Sequence, residues 1–112
     1  MKIYSMKTEG RTNPVGIDED NPVFSWKISS EKRGVSQKRY MIEVSEDEAF
    51  SDPVWNSGYV DSDISLGIRY GGKKLLSSVR YYWRVSVEDN YGRSCTSPAA
   101  FFETGLKGTD SS

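Results

Sequence analysis

Val79-Arg80-Tyr81-Tyr82-Trp83-Arg84-Val85-Ser86-Val87-Glu88 is the stretch that decides the fold. Tyr81, Trp83, Val85 and Val87 alternate with Tyr82, Arg84, Ser86 and Glu88, and a period of two over this length predicts a long strand with one buried face. Asp89-Asn90-Tyr91-Gly92 follows it and reads as a hairpin turn. Working backward, Phe24, Trp26 and Ile28 share one face of Pro22 to Ser29, with Ser25 and Lys27 on the other. Gln37 to Glu46 repeats the pattern, with Tyr40, Ile42 and Val44 inward and Arg39 and Glu43 outward. The spacing of these two strands suits an antiparallel meander. Val54 to Gly58 predicts an edge strand after the turn-rich segment Asp47 to Pro53. Ser65 to Tyr70 predicts another, ended by Gly71-Gly72. Ala99 to Thr104 closes the series, with Phe102 inward.

About seven short strands in about a hundred residues, with turn signals between them and no helical periodicity, indicate an all-β chain. The expected architecture is an immunoglobulin-like or fibronectin type III-like antiparallel β-sandwich of about seven strands. The expected core is Phe24, Trp26, Ile28, Tyr40, Ile42, Val44, Leu75, Tyr81, Trp83, Val85, Val87 and Phe102. Leu75 precedes Tyr81 by six residues, the spacing of a tyrosine corner, in which the hydroxyl bonds backbone upstream. Asn13 to Asn21 and Gly105 to Ser112 carry turn-prone polar residues and read as a lead-in loop and a linker, giving one domain over 1–106 and a linker over 107–112.

Composition narrows the function classes. A chain of 112 residues has room for one core. Fifteen basic residues stand against sixteen acidic ones without a long single-sign run, so the field that attracts nucleic acid or an anionic membrane is missing. No apolar run approaches the roughly 20 residues of a membrane span, and Met1 to Ser5 lead into polar residues rather than a signal-peptide core. Cys95 is the single cysteine, which excludes an internal disulfide and a thiolate zinc cage. One cysteine carries no information on compartment, because secreted domains also do without disulfides.

Histidine is absent, which removes the usual general base near neutral pH and every Ser-His-Asp or Cys-His arrangement. Paired carboxylates remain in Asp18-Glu19-Asp20, Glu46-Asp47-Glu48 and Asp61-Ser62-Asp63. Each falls in a predicted loop, where no apolar pocket is available to raise one pKa for acid catalysis, and none has the spacing of an EF-hand. Gly71-Gly72-Lys73-Lys74 lacks P-loop spacing and reads as a turn. No catalytic residue, metal ligand or cofactor site is expected. Aromatic residues are 12% of the chain. Alternation leaves Tyr4, Trp55, Tyr59, Tyr70, Tyr82 and Tyr91 as surface rings, suited to stacking on sugar faces or to covering a neighbouring domain.

Asn13-Pro14-Val15-Gly16-Ile17-Asp18, Pro22-Val23-Phe24-Ser25-Trp26, Arg33-Gly34 with Gln37 and Tyr40, Val54-Trp55-Asn56-Ser57-Gly58, Tyr81-Tyr82-Trp83-Arg84-Val85 and Phe102-Glu103-Thr104-Gly105-Leu106 occur in this order. Together with Ser62-Asp63, Tyr70, Gly72 and Leu75 they resemble the start of bacterial α-L-rhamnosidases of glycoside hydrolase family 78, over about residues 12 to 106. Two departures stand out: Asn56 occupies the place of the usual Asp, and Val79 that of a common Thr. The resemblance implies a fibronectin-like N-terminal sandwich placed before further β-domains and an (α/α)6 barrel. It also implies that the acids for inverting hydrolysis of terminal α-L-rhamnose lie on that barrel, outside this chain. Three functions are then open. The chain is a non-catalytic module packing on downstream domains of the same polypeptide, a carbohydrate-binding module using Trp55, Tyr59 or Tyr91, or a fibronectin-type protein-interaction module.

Overall fold

A computed structural model describes residues 2–17, 21–30 and 33–105. Nine strands are present among them: β1 (Lys2–Thr8), β2 (Val15–Ile17), β3 (Val23–Ser29), β4 (Gln37–Ser45), β5 (Trp55–Asn56), β6 (Ile68–Arg69), β7 (Arg80–Asp89), β8 (Ser94–Thr96) and β9 (Ala100–Thr104). They form an all-β sandwich of a small sheet, β1-β3-β6, and a larger one, β2-β9-β7-β4-β5, with β8 also paired to β7.

The long alternating strands form the centre of the larger sheet. Antiparallel register sets Tyr40 opposite Val87, Ile42 opposite Val85 and Val44 opposite Trp83, so the inward residues of β4 and β7 make one continuous apolar floor. From the small sheet, β3 lowers Phe24 and Trp26 onto it. Phe24 lies 4.6 Å from Trp83 and 5.9 Å from Phe102 between ring centroids, and Trp26 meets Tyr40 edge-on at 5.3 Å. Trp26 Nε1 donates to Gln37 Oε1 at 3.0 Å, which satisfies a buried indole across the two sheets.

Four features differ from the sequence-based expectation. β3 and β4 do not pair as a meander but sit in opposite sheets, because two strands that both present large inward aromatics bury them best face to face. β1 was not expected at all. A bulge between Tyr4 and Lys7, with Ser5 at φ 52°, breaks its alternation, although Ile3 and Thr8 are buried. The lead-in loop contains β2, which pairs in parallel with β9, while Asn13 Oδ1 accepts from Phe101 N–H at 3.0 Å. Ile28, near the end of β3, is half-buried and packs on the rim of the core. Asp18-Glu19-Asp20, Leu106 and the expected linker over 107–112 lie outside the described residues.

The tyrosine corner is present: Tyr81 Oη accepts from Leu76 N–H at 2.8 Å, and Leu75 is buried. Tyr81→Phe keeps the ring and removes the acceptor, so it is expected to cost about 1 kcal/mol, read as a lower urea midpoint with unchanged slope. A midpoint equal to that of the parent would deny the bond a stabilising role.

Burial also sets an alkaline limit. Tyr70 is pushed up to about 12, mainly by burial and secondarily by the neighbouring Tyr81 hydroxyl, and burial raises Tyr40 and Tyr81 as well. The folded state therefore favours the neutral phenol. This contribution is complete below the unfolded tyrosine pKa of about 10 and is lost as pH rises toward 12. Far-UV circular dichroism should hold up to about pH 10 and fall between 10 and 12, together with phenolate absorbance. Ionisation of all seven tyrosines near pH 10 without loss of the sheet signal would contradict this.

Candidate functional site

The aromatic residues proposed for the surface separate into two groups. Trp55, opposite Val44 at the edge of the larger sheet, turns inward: its ring meets Tyr70 edge-on at 5.3 Å and stacks toward Phe24 at 6.4 Å. Tyr70 is 1% exposed, and its hydroxyl donates to the Lys73 carbonyl. Tyr70 is therefore a core ring, which corrects the expectation from alternation alone, whereas Trp55 is half-buried, with one side of its ring against the core. A two-residue strand is too short for its pattern to say which way a ring points.

Tyr4, Tyr59 and Tyr91 are exposed. Tyr59 lies beneath the Arg39 guanidinium, 5.1 Å from its ring centre, and Arg39 is itself paired to Glu88. Tyr91 sits in the hairpin between β7 and β8, where its hydroxyl donates to the Arg33 carbonyl at 3.3 Å. The two rings are thus held by different loops. Tyr82 is half-buried, edge-on to Phe101 at 6.4 Å.

Three of the described carboxylates are bound into the structure. Asp47 Oδ1 accepts from Ser45 Oγ at 2.5 Å and Oδ2 from Ser51 Oγ at 2.8 Å, and these bonds hold its pKa below the usual value. Asp89 Oδ1 accepts the backbone N–H of Arg93 at 2.9 Å and of Tyr91 at 2.8 Å, which closes the hairpin and lowers its pKa likewise. Glu88 is lowered by the hydrogen bond from Arg39. No group of three or more His, Cys, Asp or Glu side chains converges for a metal among the described residues. Cys95, on β8, is half-buried against the core.

Two of the surface clefts are lined by described residues. One of about 250 Å³ is lined by Asn21, Tyr70, Gly72, Lys73 and Lys74. Its glycine does not serve an anion: a Cβ on Gly72 would stand 2.4 Å from Trp55 Cβ and 2.6 Å from the Val54 carbonyl oxygen, so the missing side chain admits the protein's own edge strand. The other, of about 430 Å³ on the small sheet, is lined mainly by Ser5, Lys7, Ser25, Lys27, Ser65 and Leu66. The Trp26 ring beneath it is 2% exposed, so it offers no aromatic face for a sugar.

The outer face of the larger sheet holds what the sequence reading passed over. Arg39–Glu88, Arg84–Glu43 and Arg80–Glu103 are cross-strand ion pairs, and Arg80 and Arg84 lie over the Phe101 and Phe50 rings at 4.2 and 4.3 Å. The signal was available in the outward set of β7, where arginines alternate with Tyr82, Ser86 and Glu88. Leu76 and Val15, 57% and 64% exposed, carried no periodic signal.

Comparison with known proteins places these features. Residues 3–108 match the family described as Rha78A-like, N-terminal immunoglobulin domain. The chain is 39% identical over 102 residues to an α-L-rhamnosidase of Formosa agariphila, covering 86% of this chain and 11% of that protein. The solved α-L-rhamnosidase of Streptomyces avermitilis, complexed with L-rhamnose, superposes with a TM-score of 0.89 at 36% identity, over 94% of this chain and 10% of its own. That of Dictyoglumus thermophilum gives 0.89 at 35% identity, over 96% and 13%. The chain therefore spans about a tenth of the length of the rhamnosidases it matches. With its two sheets, its tyrosine corner and its match from the first strand through the last, this chain belongs to the family of Rha78A-like N-terminal immunoglobulin domains.

Proposed function

We propose that this chain is the non-catalytic N-terminal accessory module of an α-L-rhamnosidase-like glycoside hydrolase. Inverting hydrolysis of terminal α-L-rhamnose would then take place on other domains of the same polypeptide, and this sandwich would serve to pack against them. The observation that carries the proposal is the coverage: 94% of this chain superposes on 10% of a rhamnosidase. The chemistry of the chain supports it. A glycosidase acid needs a carboxyl raised by an apolar pocket and a second carboxylate across the scissile bond. Here Asp47, Glu88 and Asp89 are all lowered, by Ser45, by Arg39 and by the backbone N–H of Arg93 respectively, which suits anchoring and opposes acid catalysis.

Deletion tests this reading. Removing the module from the full-length gene product is expected to lower the thermal midpoint of the remainder while leaving kcat on an aryl α-L-rhamnoside within about twofold for the molecules still folded. A fall of kcat beyond a hundredfold in a folded remainder would overturn it, since the module would then supply a catalytic group.

A further inference from the structure

From the packing around Thr104 and Gly105, and resting on the accessory reading above, we infer that the module docks on further domains of the same polypeptide through one end of the larger sheet. Leu76 and Val15 are the apolar contacts of this surface, and Arg80 with Phe101 forms its rigid ridge.

Three hydrogen bonds fix this end. Ser78 N–H donates to the Gly105 carbonyl at 3.1 Å, Gly105 N–H to the Ile17 carbonyl at 2.9 Å, and Thr104 Oγ1 to the Leu76 carbonyl at 2.5 Å. The last described residue is therefore clamped between the loop before β7 on one side and β2 on the other. Leu76 stands beside Thr104 on one side, and Val15 lies on the other, opposite Glu103 and two residues before the Ile17 that bonds Gly105; they are the two most exposed apolar side chains in those flanking segments. A small domain that holds Leu75 at 1% exposure and leaves the adjacent Leu76 at 57% presents that leucine outward at this end.

The outer face beside it is pre-organised. Arg80 is paired to Glu103 across the β7–β9 ladder and stacked over Phe101 at 4.2 Å, and Tyr82 closes edge-on to Phe101. Arginine and aromatic side chains already held in place lose little rotamer freedom on docking, which is the property of interface anchors. The occupant is the rest of the same polypeptide because covalent attachment gives it an effective concentration that a free partner lacks, and because matching rhamnosidases carry about nine-tenths of their length outside this module. The opposite end is closed on itself: Asn90 side-chain and backbone groups bond Gly34 and Ser36, and Asp89 ties the hairpin.

Hydrogen exchange on the isolated chain and on the full-length gene product tests this. Peptides spanning 75–79 should exchange at least tenfold more slowly in the full-length protein, and peptides spanning 89–96 should agree within twofold. The pair Val15→Asp with Leu76→Asp should leave the denaturation midpoint of the isolated chain unchanged, yet raise proteolytic release of the module from the full-length protein at least tenfold. Tyr91→Asp should not. Protection at 89–96 without protection at 75–79 would refute the surface and leave the accessory reading standing. Equal exchange everywhere would refute both. Concentration-dependent protection at 75–79 in the isolated chain alone would assign the surface to a second copy and overturn the proposal.

Discussion

Gly72→Ala will destabilise the domain by about 2–3 kcal/mol, the upper part of the usual overpacking range. The three nearest atoms to a new Cβ are Trp55 Cβ at 2.4 Å, the Val54 carbonyl oxygen at 2.6 Å and Tyr70 Oη at 2.7 Å. Two of these cannot swing aside. Val54 O accepts from Lys73 N–H at 3.2 Å, and Trp55 Cβ is fixed by a ring wedged between Phe24 and Tyr70. Gly71→Ala is the control, because the nearest atoms to its Cβ would be those of the Trp55 ring, at 3.6 Å, an ordinary van der Waals contact. Urea denaturation of the two variants should show a large midpoint loss for position 72 and a small one for position 71. Similar losses at both would mean that chain flexibility, and not the approach of β5, sets the need for glycine.

Trp83→Ala is expected to cost about 3–5 kcal/mol and to bring a domain of this size close to unfolding at 37 °C. Trp83 is 0% exposed, stands opposite Val44 in the larger sheet and carries the Phe24 ring at 4.6 Å from the smaller one. Its loss would open a cavity at the seam where both sheets meet, and close packing leaves few neighbours able to collapse into it. Its Nε1 has no hydrogen-bond partner among the described residues, so the penalty is one of volume and contact rather than of a broken bond. Tyr82→Ala, one residue earlier on the outer face, should cost less than half as much. Equal denaturation midpoints for the two variants would place the core elsewhere.

These two positions also mark how far the sequence reaches. Trp83 is legible because strict alternation over ten residues of β7 assigns every side chain to a face, and the same holds for Tyr40, Ile42 and Val44 on β4. Alternation does not say which sheet a strand joins, which is why β3 and β4 read as neighbours and fold as opposing layers. A bulge hides β1, and three residues in parallel pairing are too few to reveal β2. Trp55 and Gly72 explain each other only in three dimensions, across 16 intervening residues, and no local period links them. On the functional side, the missing histidine and the loop-bound carboxylates are plain in the sequence. The exposure of Leu76 and Val15 beside Thr104 and Gly105 follows from tertiary hydrogen bonds and could not be read beforehand.

The account stands most directly on a comparison of rhamnose release from an aryl α-L-rhamnoside by the purified 112-residue chain and by the full-length gene product at equal molar concentration. Release by the full-length protein with the isolated chain indistinguishable from a mock preparation is the predicted result. Turnover by the folded, purified chain itself would contradict it.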